Sequence, residues 1–336
     1  MQTRTTPRAA ATAGSPPPVR AEGLTKRYGH HLAVDSLSFE VPAGRVVGLL
    51  GPNGAGKTTA MKVLVGLVRP SSGRAAVFGA GVGSPGFGQA LHRIGTLIEA
   101  PALYERLSAR RNLELQARAL GIAANAARFA ELLELVDLSD RSGDRAGSYS
   151  LGMKQRLGIA IALVGRPELV ILDEPANGLD PAGIVEIREL LRRLPSMGTS
   201  VLVSSHQLAE VQQACDSLVV LSQGRLIASG TTEDIIGGYQ ASAYTVRVAP
   251  SEVASTVAAL AGVGLEPAAP QSRPDTQPGE VTVDLPDDWS GRDLNQALVG
   301  AGIYAIELTH DTVTLEQAFL AMTGATDTTG APHVAR

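Results

Sequence analysis

Residues 46–58, which read Val-Val-Gly-Leu-Leu-Gly-Pro-Asn-Gly-Ala-Gly-Lys-Thr, restrict the possible folds of this chain more than any other stretch. The apolar run from Val46 to Leu50 suits a strand buried on both faces. A glycine-rich segment follows at once, and then Met61, Leu64, Val65 and Val68 recur at i, i+3, i+4 and i+7. That spacing predicts a helix over 58–68, with Pro70 as its stop. Strand, glycine loop and helix in this order form the context in which G-x-x-x-x-G-K-[ST] cradles phosphate. Gly51, Gly54 and Gly56 permit the tight turn and aim successive N–H groups at phosphate oxygens. The helix start adds the positive end of its dipole. Lys57 is placed for the β- and γ-phosphates, and the Thr58 hydroxyl for Mg²⁺. Asn53, Ala55 and Thr59 complete the expected nucleotide-contacting set. A glycine-rich turn with a chance lysine is the plain alternative, and the flanking strand and helix argue against it.

The same alternation continues downstream. Residues 101–164 read as mostly helical, with apolar helical spacing over 113–120 and 126–136 and at Leu157, Ile161 and Val164. A second buried strand, Leu169 to Leu172, ends in Asp173-Glu174-Pro175. Ile187, Leu190, Leu191 and Leu194 mark a further helix, and a strand over 200–203 closes on Ser204-Ser205-His206. Strands alternating with helices predict an α/β domain with a largely parallel sheet. Because an apolar strand delivers them, Asp173 and Glu174 are expected at the carboxyl edge of that sheet beside the nucleotide. One carboxylate then holds Mg²⁺, and the other positions or deprotonates the attacking water. These residues alone leave ATPase and GTPase open.

The pattern changes near Gly237-Gly238. Beyond it, strands are expected over 244–248, 281–285 and 303–308, and helices over 253–260, 293–299 and 315–322. A Pro-rich loop covers 267–278. The expected domains are a disordered tail at 1–18, a nucleotide-binding domain at 19–236, a small α+β accessory domain at 240–324 and a disordered tail at 325–336. No repeat relates the two domains.

Charge and composition narrow the partners. The 336 residues carry a formal net charge of -4 and no basic run, which argues against nucleic acid as the main partner. No apolar run approaches the ~20 residues that cross a bilayer, so any membrane crossing must come from another polypeptide. Arg4, Arg8 and Arg20 lie in an N-terminal stretch without acids, yet no apolar h-region accompanies them, and a disordered tail is expected there. Cys215 is the single cysteine and cannot form an internal disulfide, which fits a reducing compartment. It reads either as a reactive thiol or as a small apolar residue on a helix.

Residues 150–156, Ser-Leu-Gly-Met-Lys-Gln-Arg, lie upstream of Asp173, with Leu179-Asp180 and His206 following. In that order these motifs make residues 19–230 resemble the ATP-binding cassette (ABC) superfamily. More narrowly, they resemble the ATPase subunits of bacterial drug- and peptide-resistance exporters. The resemblance implies a phosphate-loop NTPase core with a parallel sheet, together with antiparallel β and helical subdomains, the latter at about 101–165. It implies Mg-ATP as ligand, Glu174 as catalytic base, and a homodimer in which two nucleotide domains pack head to tail. Ser150 and Gly152 would then contact the γ-phosphate held by the opposite subunit, and Asp180 would link the two sites. Tyr28 would stack on adenine, while His206 would touch the γ-phosphate and orient the water. The family usually has glycine and glutamine where this chain has Leu151 and Met153. Glu99 stands where glutamine is usual, near Mg²⁺ and on the route to the membrane partner. Pro101, Leu103, Tyr104 and the helix near Asn112-Leu113 are implied to contact the coupling helices of a separate transmembrane permease, with ordinary surface and helix packing as the plain alternative. That places the chain at the cytoplasmic face of the cell membrane. Two rival readings are a soluble regulatory ATPase that clamps a cytosolic target, and a phosphate-loop kinase, which leaves residues 150–156 unexplained.

Overall fold

In the computed structural model, residues 16–206, 213–237, 243–268, 279–286, 288–310 and 315–323 are described. The expected tails at 1–18 and 325–336 lie outside them, apart from Pro16, Pro17 and Pro18, and so does residues 269–278 of the Pro-rich loop. The chain divides into two compact units, Met1–Thr232 and Glu233–Arg336.

The first unit runs β1 (Val19–Tyr28), β2 (His31–Val41), β3 (Val46–Leu50), α1 (Lys57–Leu64), β4 (Ser72–Val77), β5 (Ala80–Gly81), α2 (Phe87–Leu91) and β6 (Ile94–Leu97). It continues with α3 (Ala109–Ala119), α4 (Ala126–Leu135), α5 (Leu151–Ala162), β7 (Leu169–Asp173), α6 (Pro181–Arg193), β8 (Ser200–Ser205), β9 (Ser217–Ser222) and β10 (Arg225–Gly230). Every residue of β3, β7 and β8 is buried, as continuous apolar runs require in a sheet covered on both faces. These strands form the middle of a six-stranded sheet in the order β10-β9-β3-β8-β7-β6. Its pairs are parallel except for the antiparallel β10–β9 edge. The register sets Leu50 beside Ser205 and Asp173 beside Ser204, so the chain leaves three neighbouring strands at the same level. An antiparallel sheet, β2-β1-β4-β5, forms a second layer. Leu49, Met61 and Leu64 pack with Val34 and Leu37 on one side of the central sheet. On the other side Leu172 and Val203 share a core with Leu113, Leu132 and Leu157 of the helical region. No helix among the described residues is long and apolar enough to cross a membrane.

The helix after the glycine loop ends earlier than its apolar spacing predicts. Val65 is already its C-cap, and Gly66 takes φ 77. A Cβ on Gly66 would lie 2.6 Å from the Phe87 ring, so this turn needs glycine for its conformation and for its space. Val65 and Val68 still pack against the core, from the turn beyond the helix.

A short helix, α7 (Thr232–Gly237), spans the boundary between the units. The second unit contains β11 (Ala243–Arg247), α8 (Val253–Gly262), β12 (Pro267–Ala268), β13 (Glu280–Asp284), α9 (Gly291–Gly300), β14 (Glu307–His310) and α10 (Leu315–Thr323). Its sheet is antiparallel in the order β12-β13-β11-β14. Val246, Val281 and Val283 meet Leu260 of α8 and Leu294 and Leu298 of α9 in its core. Two expectations shift here. Pro267 and Ala268 belong to a strand, paired with Val283 and Thr282. The last strand starts at Glu307 rather than at 303, because the Ile303 N–H still bonds Leu298 O (2.9 Å) in the exit from α9.

Candidate active site

The glycine loop folds as it does because a side chain at two of its positions would strike backbone. A Cβ on Gly51 (φ 154) would sit 2.3 Å from Leu221 O, and one on Gly56 (φ 98) 2.4 Å from Ala33 O. The turn is further pinned by Gly224 N–H donating to Ala55 O (3.1 Å). The Ala55 N–H donates within the loop, to Pro52 O at 3.1 Å, so this expected nucleotide contact is engaged internally. Helix α1 opens at Gly56 with no side-chain cap, and the N–H groups of Lys57, Thr58 and Thr59 have no acceptor within their own helix. Uncapped N–H groups at the positive end of a helix dipole fit a phosphate. Lys57 is buried; its Nζ donates to Gly51 O (2.6 Å) and Pro52 O (3.3 Å) and lies 3.1 Å from Glu174 Oε1.

Strand β7 brings the acids to this loop. The buried Asp173 carboxylate accepts from Thr58 Oγ1 through Oδ2 (2.7 Å) and from Ser204 Oγ through Oδ1 (2.6 Å). Glu174 has φ 50, a conformation that non-glycine residues adopt rarely. This turn directs its side chain to Lys57 on one side and to His206 Nδ1 (2.6 Å) on the other. Its own N–H donates to Ser204 Oγ at 2.9 Å. The Thr58 hydroxyl and the Asp173 carboxylate are hard oxygen donors in contact, a pair that suits Mg²⁺, which takes one or two carboxylates plus phosphate oxygens and water. Among the described residues no group of three or more His, Cys, Asp or Glu could hold a metal, so the protein offers a partial shell.

The structure thus gathers Lys57, Thr58, Asp173, Glu174 and His206 from three separate segments. It also adds Ser204, which the sequence reading passed over. The available signal was a polar residue two positions before His206, at the end of an otherwise apolar strand.

The remaining expected site residues stand apart from this cluster. Glu99 (φ 68) ion-pairs with Lys62 on α1, and this hydrogen bond raises the Lys62 ammonium above its ordinary pKa. Tyr28, half exposed, ends β1 with Lys26 Nζ 4.8 Å from its ring centroid. Ser150 caps α5 by accepting from Met153 N–H (3.3 Å), and Asp180 caps α6 by accepting from Gly183 N–H (3.1 Å). Leu151 is exposed and leans on Gly178, while Gly152 faces Leu179. Signature segment and Asp180 loop are therefore neighbours within one chain. In the helix expected to contact a partner, Asn112 and Leu113 themselves are buried. The Asn112 side chain accepts from Tyr104 N–H and donates to Ser108 O, each at 2.9 Å, and so ties the 104–108 loop to α3. Pro101 and Leu103 line a cavity of about 340 Å³ with Leu97, Gln116, Gly158 and Ile161. A smaller cavity of about 30 Å³ beside Glu174 is lined by Asn177, Val203, Ser204 and Cys215. Burial pushes the Cys215 thiol up to about 12, and Asp216 adds to the shift.

An uncapped helix start behind a glycine loop, with a carboxylate pair at the carboxyl edge of a parallel sheet, defines a phosphate-loop nucleotide site. Comparison with known proteins narrows the class. The ABC transporter family model matches residues 34–177. The bacitracin transport ATP-binding protein BcrA of Bacillus licheniformis is 43% identical over 210 residues, covering 62% of this chain and 68% of that protein. The daunorubicin resistance ATP-binding protein DrrA3 of Streptomyces coeruleorubidus is 38% identical over 312 residues, covering 91% of this chain and 96% of that one. A solved ATP-binding subunit of an ABC transporter aligns with a TM-score of 0.59 and 33% identity over 66% of this chain and 92% of its own. This chain belongs to the family of ABC transporter ATP-binding proteins. Proteins of that family bind ATP and are ATPases.

Proposed function

We propose that this protein is the ATP-hydrolysing subunit of an exporter, driving a separate transmembrane permease that moves a drug, antibiotic or peptide. The bacitracin and daunorubicin relatives support that cargo class. The observation that carries the ATPase reading is Glu174, held between Lys57 and His206 beside the Thr58–Asp173 pair. In this reading the N–H groups of Gly54 and of Gly56 to Thr59 seat the phosphates and Lys57 Nζ binds the β- and γ-phosphate oxygens. Thr58 and Asp173 would hold Mg²⁺, with Glu99 the further carboxylate expected to approach it, and the ion would supply positive charge against the phosphates. Glu174 Oε accepts the proton of the attacking water, while His206 holds that carboxylate and faces the γ-phosphate. Tyr28 supplies the stacking surface for adenine.

Two copies pair head to tail, so that Ser150, Gly152 and the start of α5 close over the nucleotide of the other copy and Asp180 joins the two sites. The nucleotide domain covers residues 19–236, with a helical subdomain at about 101–165, and residues 240–324 form the accessory domain. The cavity at Pro101 and Leu103 is the seat for a permease helix, which would hold the protein at the cytoplasmic face of the membrane. A net charge of -4 argues against nucleic acid as partner. Glu174→Gln should keep nucleotide binding and slow phosphate release by ~10² or more. Unchanged steady-state turnover in that variant would refute the base. Co-purification with a membrane protein separates this reading from a soluble clamp.

A further inference from the structure

We infer that Ser204 is a positioning residue for hydrolysis, setting the orientation of both Asp173 and Glu174 through a single hydroxyl. The inference rests on the ATPase reading above. Ser204 is fully buried. A backbone N–H can only donate, so the bond from Glu174 N–H (2.9 Å) occupies a lone pair of Ser204 Oγ. The hydroxyl proton is then free for Asp173 Oδ1, at 2.6 Å. With Oδ1 engaged, Oδ2 is the oxygen turned to Thr58 Oγ1 and to the position where Mg²⁺ fits. The parallel ladder pairs Asp173 with Ser204 through backbone alone, so holding the strands together does not require this side chain. Strand β7 ends at Asp173, and the next residue turns into the left-handed region. The N–H of Glu174 lies past the ladder's end, and the Ser204 hydroxyl takes over as its acceptor. One side chain therefore fixes which carboxylate oxygen faces the metal position and where the catalytic carboxylate emerges.

Removing the hydroxyl leaves a buried carboxylate oxygen and a part-buried N–H without this partner. Threonine keeps the hydroxyl, and Ser204 borders a small cavity of about 30 Å³. The test compares full-length wild type, Ser204→Ala and Ser204→Thr. Retention of a fluorescent ATP analogue is titrated with Mg²⁺, alongside steady-state phosphate release and thermal unfolding. Ser204→Ala is expected to raise the Mg²⁺ needed for half-maximal retention by roughly tenfold or more, and to lower kcat by a similar factor, as loss of an outer-shell partner does. Retention without Mg²⁺ should stay at the wild-type level, and Ser204→Thr should restore both the Mg²⁺ dependence and kcat. An alanine variant that matches wild type would overturn the inference. So would alanine and threonine variants impaired alike, or an alanine variant that loses Mg-free and Mg-dependent retention together with its unfolding midpoint, since each of those marks a purely structural role. A wild-type protein that releases no phosphate would sink the ATPase reading itself, before any variant is compared.

Discussion

The two units are built on sheets of opposite kind, and only one of the two arrangements collects chemistry. In the first, parallel strands β3, β8 and β7 lie side by side although β3 precedes the other two by more than a hundred residues in sequence, and each releases its chain at the same edge. Lys57, Glu174 and His206 meet there because parallel pairing aligns strand ends. In the second unit every strand pair is antiparallel, so successive strand ends fall at opposite edges. Its core is as apolar, yet its charged contacts, such as Arg247 with Glu307, lie on the surface. Burying a sheet gives stability in both units; strand direction decides whether distant side chains converge.

The contrast is open to direct test. The largest expected effect is on the two cores. Leu172→Ala and Leu298→Ala each remove a fully buried side chain, and each should destabilise its own unit by about 2–5 kcal/mol. Only Leu172→Ala should also weaken nucleotide retention, because its strand carries Asp173. Equal loss of retention in both variants, measured by filter binding, would break the comparison. A smaller effect is expected for Gly51→Ala, where the added carbon meets Leu221 O and φ 154 is unfavourable. It should cost about 1–3 kcal/mol, lowering the melting temperature by a few degrees, and move the glycine loop, which a loss of nucleotide retention well below the melting transition would reveal. Smallest is Arg247→Gln on the second unit. Its ion pair is roughly half exposed, so thermal unfolding should shift by no more than about 1 kcal/mol, with no change in nucleotide retention.

How much could be read from the sequence follows the same division. The segments β3, β7 and β8 were legible because burial on both faces leaves an unbroken apolar run, which composition alone exposes. Strand β1 was not, since register shifts after Ala21 and Leu24 break the alternation by which a half-buried strand is recognised. Short β6 contains Gly95, where a Cβ would lie 2.1 Å from Ala162 O; a close approach of that kind has no signature in one dimension. The end of α1 depended on Gly66 and its contact with Phe87, a residue on another helix. Within the site, Lys57, Thr58, Asp173 and Glu174 could be assigned because motif spacing carries their chemistry. Ser204 could not, because its importance lies in two hydrogen bonds made across to a neighbouring strand.

The isolated thiol of Cys215 has a practical consequence. It is the chain's sole sulfhydryl, and with its pKa pushed up to about 12 almost none of it is thiolate near neutral pH. A cysteine placed by design on an exposed loop is therefore expected to react with maleimide dyes well ahead of Cys215. Such a difference in rate would let a spectroscopic ruler be attached while the native thiol is kept.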